Sequence, residues 1–257
     1  MTRVGPLTRF LIWRRKHFSD AKFVMMLAVV VGAAAGMAAV IIKRTVGLLE
    51  KLLTESFSVE LHNYLYFIYP GIGLLIVVLL IKFVIRRPVG HGVPNVLYAI
   101  SKNSSIIKPY QMVASVITSS ITVGFGGSVG LEGPTVSTGG AIGSNIGRLL
   151  RLDYRRITLL VACASAGAMS AIFKSPIAAI IFAIEVLMLD LTMAALVPLL
   201  ISSVTAALVS YIFMGQFTVY DFQVLDQFNL NNTPLYLLLG VLAGFISLSF
   251  TKIYTFV

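Results

Sequence analysis

One carboxylate stands in a stretch of the chain where glycines leave the backbone uncovered. Residues 126 to 136 have the sequence GGSVGLEGPTV, and the carboxylate is that of Glu132. Pro134 is typical of the first turn of a helix, where a missing backbone N–H costs nothing. A helix start carries about half a positive charge and free N–H donors, so it attracts anions. The stretch therefore predicts an anion-binding site that contains no full positive charge.

Glu132 lies at this predicted helix start. Its carboxylate is itself an anion, so it can occupy the place of a bound anion. When protonated it loses the charge that held it there and is free to swing away. Glu132 is therefore predicted to act as a gate and as a proton acceptor. The simpler alternative is that it only caps the helix, because a carboxylate near a helix N-terminus is stabilising. The glycines around it are unnecessary for a cap and favour the functional interpretation.

The composition indicates that membrane helices position this site. The 257 residues are 58% hydrophobic and 12% charged, whereas soluble domains average about 25% charged residues. Several stretches approach the roughly 20 apolar residues that cross a bilayer. The single cysteine, Cys163, excludes an internal disulfide framework.

The net charge of +10 is explained by membrane topology rather than by nucleic-acid binding. Basic residues gather at the ends of the apolar runs, as the positive-inside rule describes: Arg3, Arg9, Arg14, Arg15, Lys16, Lys22, Arg86, Arg87, Arg148, Arg151, Arg155 and Arg156. We therefore expect a multi-pass protein of the cell membrane with a cytoplasmic N-terminus. Residues 1–22 are predicted to be a cytoplasmic segment that contains a short amphipathic helix over Leu7–Phe18.

The pattern of apolar runs predicts an all-α, polytopic membrane protein with broken and re-entrant helices, its transmembrane domain occupying residues 23–257. Helices are predicted over 23–53, 64–85, 95–101, 106–123, 135–150, 153–173, 177–189, 194–213 and 235–257. Glycine and proline break the chain at 90–94, 126–134 and 174–176. Broken helices inside a bilayer survive only within protein or beside a wet cavity, and transporters use them to bind ions. Function is therefore expected at these three breaks.

Three motifs, in order and at matching spacing, resemble the CLC family of chloride channels and chloride/proton antiporters. Residues 130–134, GLEGP, resemble the family's G-x-E-G-P signature. Residues 90–94, GHGVP, resemble its G-S-G-I-P segment, and residues 168–186 resemble its stretch of small residues, proline and F-x-x-E. The resemblance covers about residues 23–257. It implies one half of the family's inverted repeat together with the first helix of the next half.

The resemblance implies transport of chloride, with or without protons, through a path gated by Glu132. It implies that backbone amides line the anion sites at His91, Gly92, Val93, Gly130, Leu131 and Gly133, with Gly90, Pro94 and Pro134 shaping the helix starts. It also implies a homodimer in which each subunit has its own path, with the helices over 177–189 and 194–213 at the interface. The lipid bilayer is the other expected partner. Neither a cofactor nor a metal is expected, and no enzymatic activity.

The sequence departs from the family pattern at three points. His91 replaces the serine, and its imidazole either donates to the anion or turns away to a carbonyl group. Val186 occupies the position of a second acid in many exchangers, which favours a channel or another proton route. Glu185, just before it, is a candidate second acid that we interpret as structural. The chain also lacks the G-x-F-x-P segment and the tyrosine that complete the family's anion site, so it is either a fragment or completed by a partner.

Two other classes of function stay open at this point. Residues 126–130 satisfy G-x-S-x-G, so Ser128 is a candidate nucleophile of an intramembrane serine protease. Such an enzyme needs a base, and the sequence offers His17, His62 and His91. A structural membrane subunit would need only small-residue faces such as Gly32 and Gly36. It would not need Glu132.

Overall fold

The computed structural model describes residues 19–55, 62–90, 92–187, 193–215 and 229–256, and its regular structure there is entirely helical. The α-helices of this part are α1 Asp20–Glu55, α2 His62–Leu79, α3 Gly92–Lys102, α4 Tyr110–Gly124, α5 Glu132–Leu149, α6 Tyr154–Phe173, α7 Pro176–Val186, α8 Met193–Met214 and α9 Thr233–Phe256. A π-helical turn, Leu80–Ile85, continues α2, and a 3-10 turn, Leu230–Asn232, precedes α9. The all-α prediction is confirmed. The predicted interfacial helix over Leu7–Phe18 lies outside the described residues.

Five helices of the described chain are long and apolar enough to cross a membrane, at Asp20–Leu53, Ile68–Ile85, Tyr154–Phe173, Ala194–Met214 and Leu230–Thr255. The span predicted over 106–123 is corrected, because α4 begins only at Tyr110 and has 15 residues. Side chains of α5 hold the backbone before Tyr110 in a non-helical form. Ser144 Oγ accepts from Ile107 N at 2.9 Å, and Asn145 Nδ2 donates to Ile107 O at 3.1 Å.

Helices α1, α6 and α8 run side by side in the same direction. Arg156, in the first turn of α6, pairs with Asp20 at the start of α1, with 2.7 Å between Nη2 and Oδ2. At the other end, Arg44 Nη2 of α1 donates to Phe213 O near the end of α8 at 2.6 Å. Between these ends, a Cβ on Gly32 of α1 would overlap the Ser202 carbonyl group of α8. The glycine face predicted on the first span therefore does pack closely against another helix.

Helix α5 packs antiparallel against α6 through its glycines. A Cβ on Gly139 would lie 2.5 Å from Ala164 O, and one on Gly143 would overlap Leu160 O. Small residues at such positions let two helix backbones touch. Most of α5 is consequently buried in protein, which suits a helix with few large apolar side chains to offer lipid.

The described residues form two compact units, the first ending before residue 220. The first unit contains α1 to α8 and the main hydrophobic core, which includes Val31, Val96, Val136, Leu160 and Leu199. The second unit contains the turn Leu230–Asn232 and the apolar helix α9.

Gly143→Ala is expected to destabilise the protein, although glycine-to-alanine changes in helix interiors normally stabilise by roughly 0.5–1 kcal/mol. The added methyl group would overlap the Leu160 carbonyl group, and overpacking typically costs about 1–3 kcal/mol. The apparent melting temperature in detergent should fall by several degrees, at about 2–4 °C per kcal/mol for a chain of this size.

The matched control is Gly47→Ala in α1, because a Cβ on Gly47 meets no atom within 4 Å. This variant should keep or raise the melting temperature. Equal losses in the two variants would contradict the close packing of α5 on α6.

Candidate anion-binding site

The start of α5 presents four consecutive backbone N–H groups that have no hydrogen-bond partner among the described residues. They belong to Gly130, Leu131, Glu132 and Gly133. The first backbone bond of the helix runs from Thr135 N to Leu131 O at 3.0 Å, and the N-cap residue makes no side-chain capping bond. Successive free N–H groups at a helix start form a concave donor array that binds anions. The sequence analysis predicted anion binding at Gly130, Leu131 and Gly133 of this row, with Glu132 as the gate.

The Glu132 carboxylate folds back over the backbone of this array. A Cβ on Gly130 would overlap Glu132 Oε2, so the carboxylate fills the space that a side chain at position 130 would need. The Glu132 side chain is exposed, and it makes no hydrogen bond or ion pair with another described residue. An anionic group therefore already lies beside the free N–H groups of the helix start.

Gly92, in the glycine-rich stretch that the sequence analysis singled out, meets the start of α5 through direct backbone contact. Helix α3 begins at Gly92, whose φ of +49° is a conformation that favours glycine. A Cβ on Gly92 would lie 2.9 Å from Gly133 Cα, and one on Gly133 would lie 3.6 Å from Gly92 Cα. The predicted helix 95–101 therefore begins three residues earlier, which brings Val93 and Pro94 into the first turn. Two helix N-termini meet at this contact, so their partial positive charges add.

Helix α4 holds both turns through side chains that the sequence did not single out. Asn95 Nδ2, in the first turn of α3, donates to Gln111 Oε1 at 2.8 Å. Ser115 Oγ donates to Pro134 O, in the first turn of α5, at 3.3 Å. These are ordinary polar residues whose pairing depends on tertiary structure.

The third predicted break, residues 174–176, lies at the junction of α6, α7 and α8. Lys174 ends α6 with a φ of +54°, and Pro176 is the first residue of α7. Lys174 Nζ donates to Gly215 O at 2.6 Å and lies 4.9 Å from the centre of the Tyr211 ring. These contacts tie the break to the end of α8.

The remaining predicted residues are placed as follows. His91 lies outside the described residues. Glu185 is exposed in the last turn of α7 and makes no hydrogen bond or ion pair with a described residue, so the pairing expected for it is not seen there. Ser128 is exposed in the loop before α5. Within the described ranges, no group of three His, Cys, Asp or Glu side chains could hold a metal ion.

Membrane helices that are broken at glycine-rich, touching N-termini are typical of transport proteins. The family profile described as voltage gated chloride channel matches residues 72–257, and the chain belongs to this family, the CLC family. The chain is 31% identical over 179 residues to a protein of Ralstonia nicotianae named as a ClcB-like chloride channel protein, covering 68% of this chain and 42% of that protein. It is 27% identical over 242 residues to the H(+)/Cl(−) exchange transporter ClcA of Vibrio cholerae, covering 90% of this chain and 51% of that protein.

A solved structure shows the same fold. The crystal structure of a slow cyanobacterial Cl−/H+ antiporter superimposes with a TM-score of 0.75 at 19% sequence identity. The match covers 91% of this chain and 56% of the other chain. The chain thus spans about half the length of the relatives it matches.

Gly92→Ala is expected to weaken anion binding at the site. Its methyl group would come within 2.9 Å of Gly133 Cα, so the two helix starts must move apart. We expect the chloride dissociation constant, measured by isothermal titration calorimetry, to rise on the order of tenfold, which corresponds to about 1.4 kcal/mol.

Gly126→Ala is the control for backbone strain, because Gly126 also has a positive φ, of +83°. A Cβ on Gly126 would meet only Pro70 Cγ, at 3.8 Å. Chloride binding in this variant should stay close to that of the unmodified protein. A similar loss in both variants would show that strain, and not the contact of the two turns, controls binding.

Proposed function

We propose that this chain provides a path through the membrane for chloride or a similar small anion, with Glu132 as its protonatable gate. The observation that carries this proposal is the row of free backbone N–H groups at Gly130 to Gly133, over which the Glu132 carboxylate is folded. Family membership supports it, as do the names of the relatives, which include a chloride channel protein and a proton/chloride exchange transporter.

The proposed gate works by competition between two anions. The ionised Glu132 carboxylate and a mobile anion are attracted to the same N–H groups and to the same partial positive charge, roughly +0.5 per helix start. Protonation removes the negative charge of the carboxylate, so its attraction to the array falls and the site opens for the mobile ion. An array without a full positive charge also holds the ion weakly enough to release it.

A channel and an antiporter differ in whether proton movement is coupled to anion movement. Val186 stands where the resemblance implies a second acid, and the neighbouring Glu185 is exposed at the end of α7. If the chain is an antiporter, its proton therefore enters by Glu185 or by another route.

The membrane orientation that we propose has a cytoplasmic N-terminus. The Arg156–Asp20 pair places the starts of α1 and α6 at one end of the bundle. The hydrogen bond between Ser105 Oγ and Thr158 Oγ1, 2.7 Å long, brings the segment before α4 to the same end. The basic residues around 102, 148–151 and 155–156 therefore gather on one side, which the positive-inside rule assigns to the cytoplasm.

We further propose a homodimer, as the family resemblance implies. Helices α7 and α8 offer an apolar surface for it, with large side chains that are 40–71% exposed: Ile177, Ile181, Val197, Leu200, Val204 and Leu208. The lipid bilayer, chloride and protons are the other proposed partners, without a cofactor.

A transport role is favoured over the two alternatives. Belonging to a family of channels and transporters gives no support to proteolysis by Ser128, and we propose no enzymatic activity. A structural subunit would need neither the free N–H groups nor a carboxylate beside them.

Glu132→Gln is expected to abolish proton movement coupled to chloride movement, because the amide does not titrate. The protein from its complete reading frame is reconstituted in liposomes, and chloride efflux is recorded together with internal pH. Proton movement in the wild type that disappears in the variant identifies an antiporter gated by Glu132. Chloride efflux without a pH change identifies a channel.

Glu50→Gln is the matched control, since it makes the same chemical change on an exposed side chain of α1. It should leave chloride efflux and proton movement unchanged. Ser128→Ala should also retain efflux. The absence of anion efflux from every variant, wild type included, would overturn the transport proposal.

A further inference from the structure

One face of α4 is joined to the first turns of both broken helices. Gln111 and Ser115 are four residues apart, a spacing that places their side chains together on one helix face, about 5–6 Å apart. Gln111 Oε1 accepts from Asn95 Nδ2 at 2.8 Å, and Ser115 Oγ donates to Pro134 O at 3.3 Å. Asn95 belongs to the first turn of α3 and Pro134 to that of α5.

Tyr110, the residue before Gln111 in α4, holds the chain that precedes α3. Tyr110 Oη donates to Pro88 O at 2.8 Å. The Arg87 guanidinium lies 5.4 Å from the centre of the Tyr110 ring, within range of a cation–π interaction. Tyr110 and Gln111, which are consecutive in α4, therefore bond to the chain on both sides of Gly90: Tyr110 to Pro88 and Gln111 to Asn95.

The hydrogen bond of Asn95 lies close to the contact between the two helix starts. A Cβ on Gly90 would lie 2.5 Å from Asn95 Cγ, so Gly90 packs tightly against the Asn95 amide. Gly92 is in backbone contact with Gly133. Asn95 and Gly92 both belong to the first turn of α3, so a displacement of Asn95 also moves the residue that contacts the start of α5.

We propose that Gln111 and Ser115 are positioning residues that set the separation of the two helix starts and thereby the size of anion that the site prefers. They act through Asn95 and Pro134 and are not themselves part of the donor array. The inference rests on the proposed function, because it assigns a determinant of selectivity to that same site. An array of backbone donors discriminates between ions by the spacing and number of its dipoles, so a change in spacing changes the preferred ion.

If the hydrogen bonds of Gln111 and Ser115 only stabilised the fold, a different result would be expected. Hydrogen bonds that only stabilise the fold would change the melting temperature and the number of active molecules. They would leave the ratio of two anion fluxes unchanged, because each active molecule would keep its site. The flux ratio therefore separates positioning from stabilisation.

The test compares chloride, bromide and nitrate efflux from liposomes that carry the protein from its complete reading frame. Gln111→Leu removes the acceptor for Asn95 at similar side-chain volume, and we expect it to change the nitrate-to-chloride ratio by about fivefold, the factor associated with one hydrogen bond. The exchanged pair Asn95→Gln with Gln111→Asn keeps the combined length of the two amides. It should return the ratio toward the wild-type value.

Thr118→Val is the matched control on α4, because Thr118 Oγ1 bonds to carbonyl groups of its own helix, at 2.8 Å to Ala114 O. It should leave the ratio unchanged. Ser115→Ala removes only one hydroxyl group and carries the test if Gln111→Leu does not fold. Unchanged ratios in both Gln111→Leu and Ser115→Ala, or an equal change in Thr118→Val, would overturn this inference alone. No anion efflux from the wild type would overturn the proposed function, and this inference with it.

Discussion

The contact between the backbones of α5 and α6 is the constraint on which the rest of the first unit depends. Helix α5 is built mainly from small and polar residues, so lipid would not stabilise it as a free span. Gly139 and Gly143 instead let its backbone touch that of α6. Between lipid-like surfaces, such close packing supplies the attraction that the hydrophobic effect supplies in water. With α5 held along its length, its N-terminus has a fixed place in the protein, and so does the backbone of Glu132.

The site follows from where the helices start rather than from charged side chains. Two helix N-termini meet at Gly92 and Gly133, and the free backbone donors are those of Gly130 to Gly133, since the Gly92 N–H already bonds to Gly90 O at 3.1 Å. A lysine or arginine in the same place would add a full charge and slow the release of the ion. Glu132 is the titratable group among the described residues of the array, and in the proposed mechanism one protonation event changes the field that the ion meets.

The sequence predicted the parts of this site that depend on local chemistry. Glycines, a proline and one carboxylate within eleven residues indicated a helix start that binds anions, and α5 does start there. The parts that depend on tertiary structure were missed. The bond between Asn95 and Gln111 joins ordinary polar residues whose spacing carries no signal. The start of α4 was misplaced for the same reason, since Ser144 and Asn145, far along the chain, hold the preceding backbone out of the helix.

The donors of this site belong to peptide bonds, and that changes what genetics can reveal about it. Replacing a side chain leaves the N–H group of that residue in place, so a scan with alanine examines the walls of the site and never its donors. Among the encoded residues, only proline lacks a backbone N–H group. Proline also fixes φ, so its effect on binding would combine the loss of a donor with a change in backbone shape. Exchange of single amides for esters by chemical synthesis removes one donor at a time while keeping each side chain. The donors of this site are therefore best studied by changing the chemistry of the backbone rather than the identity of the side chains.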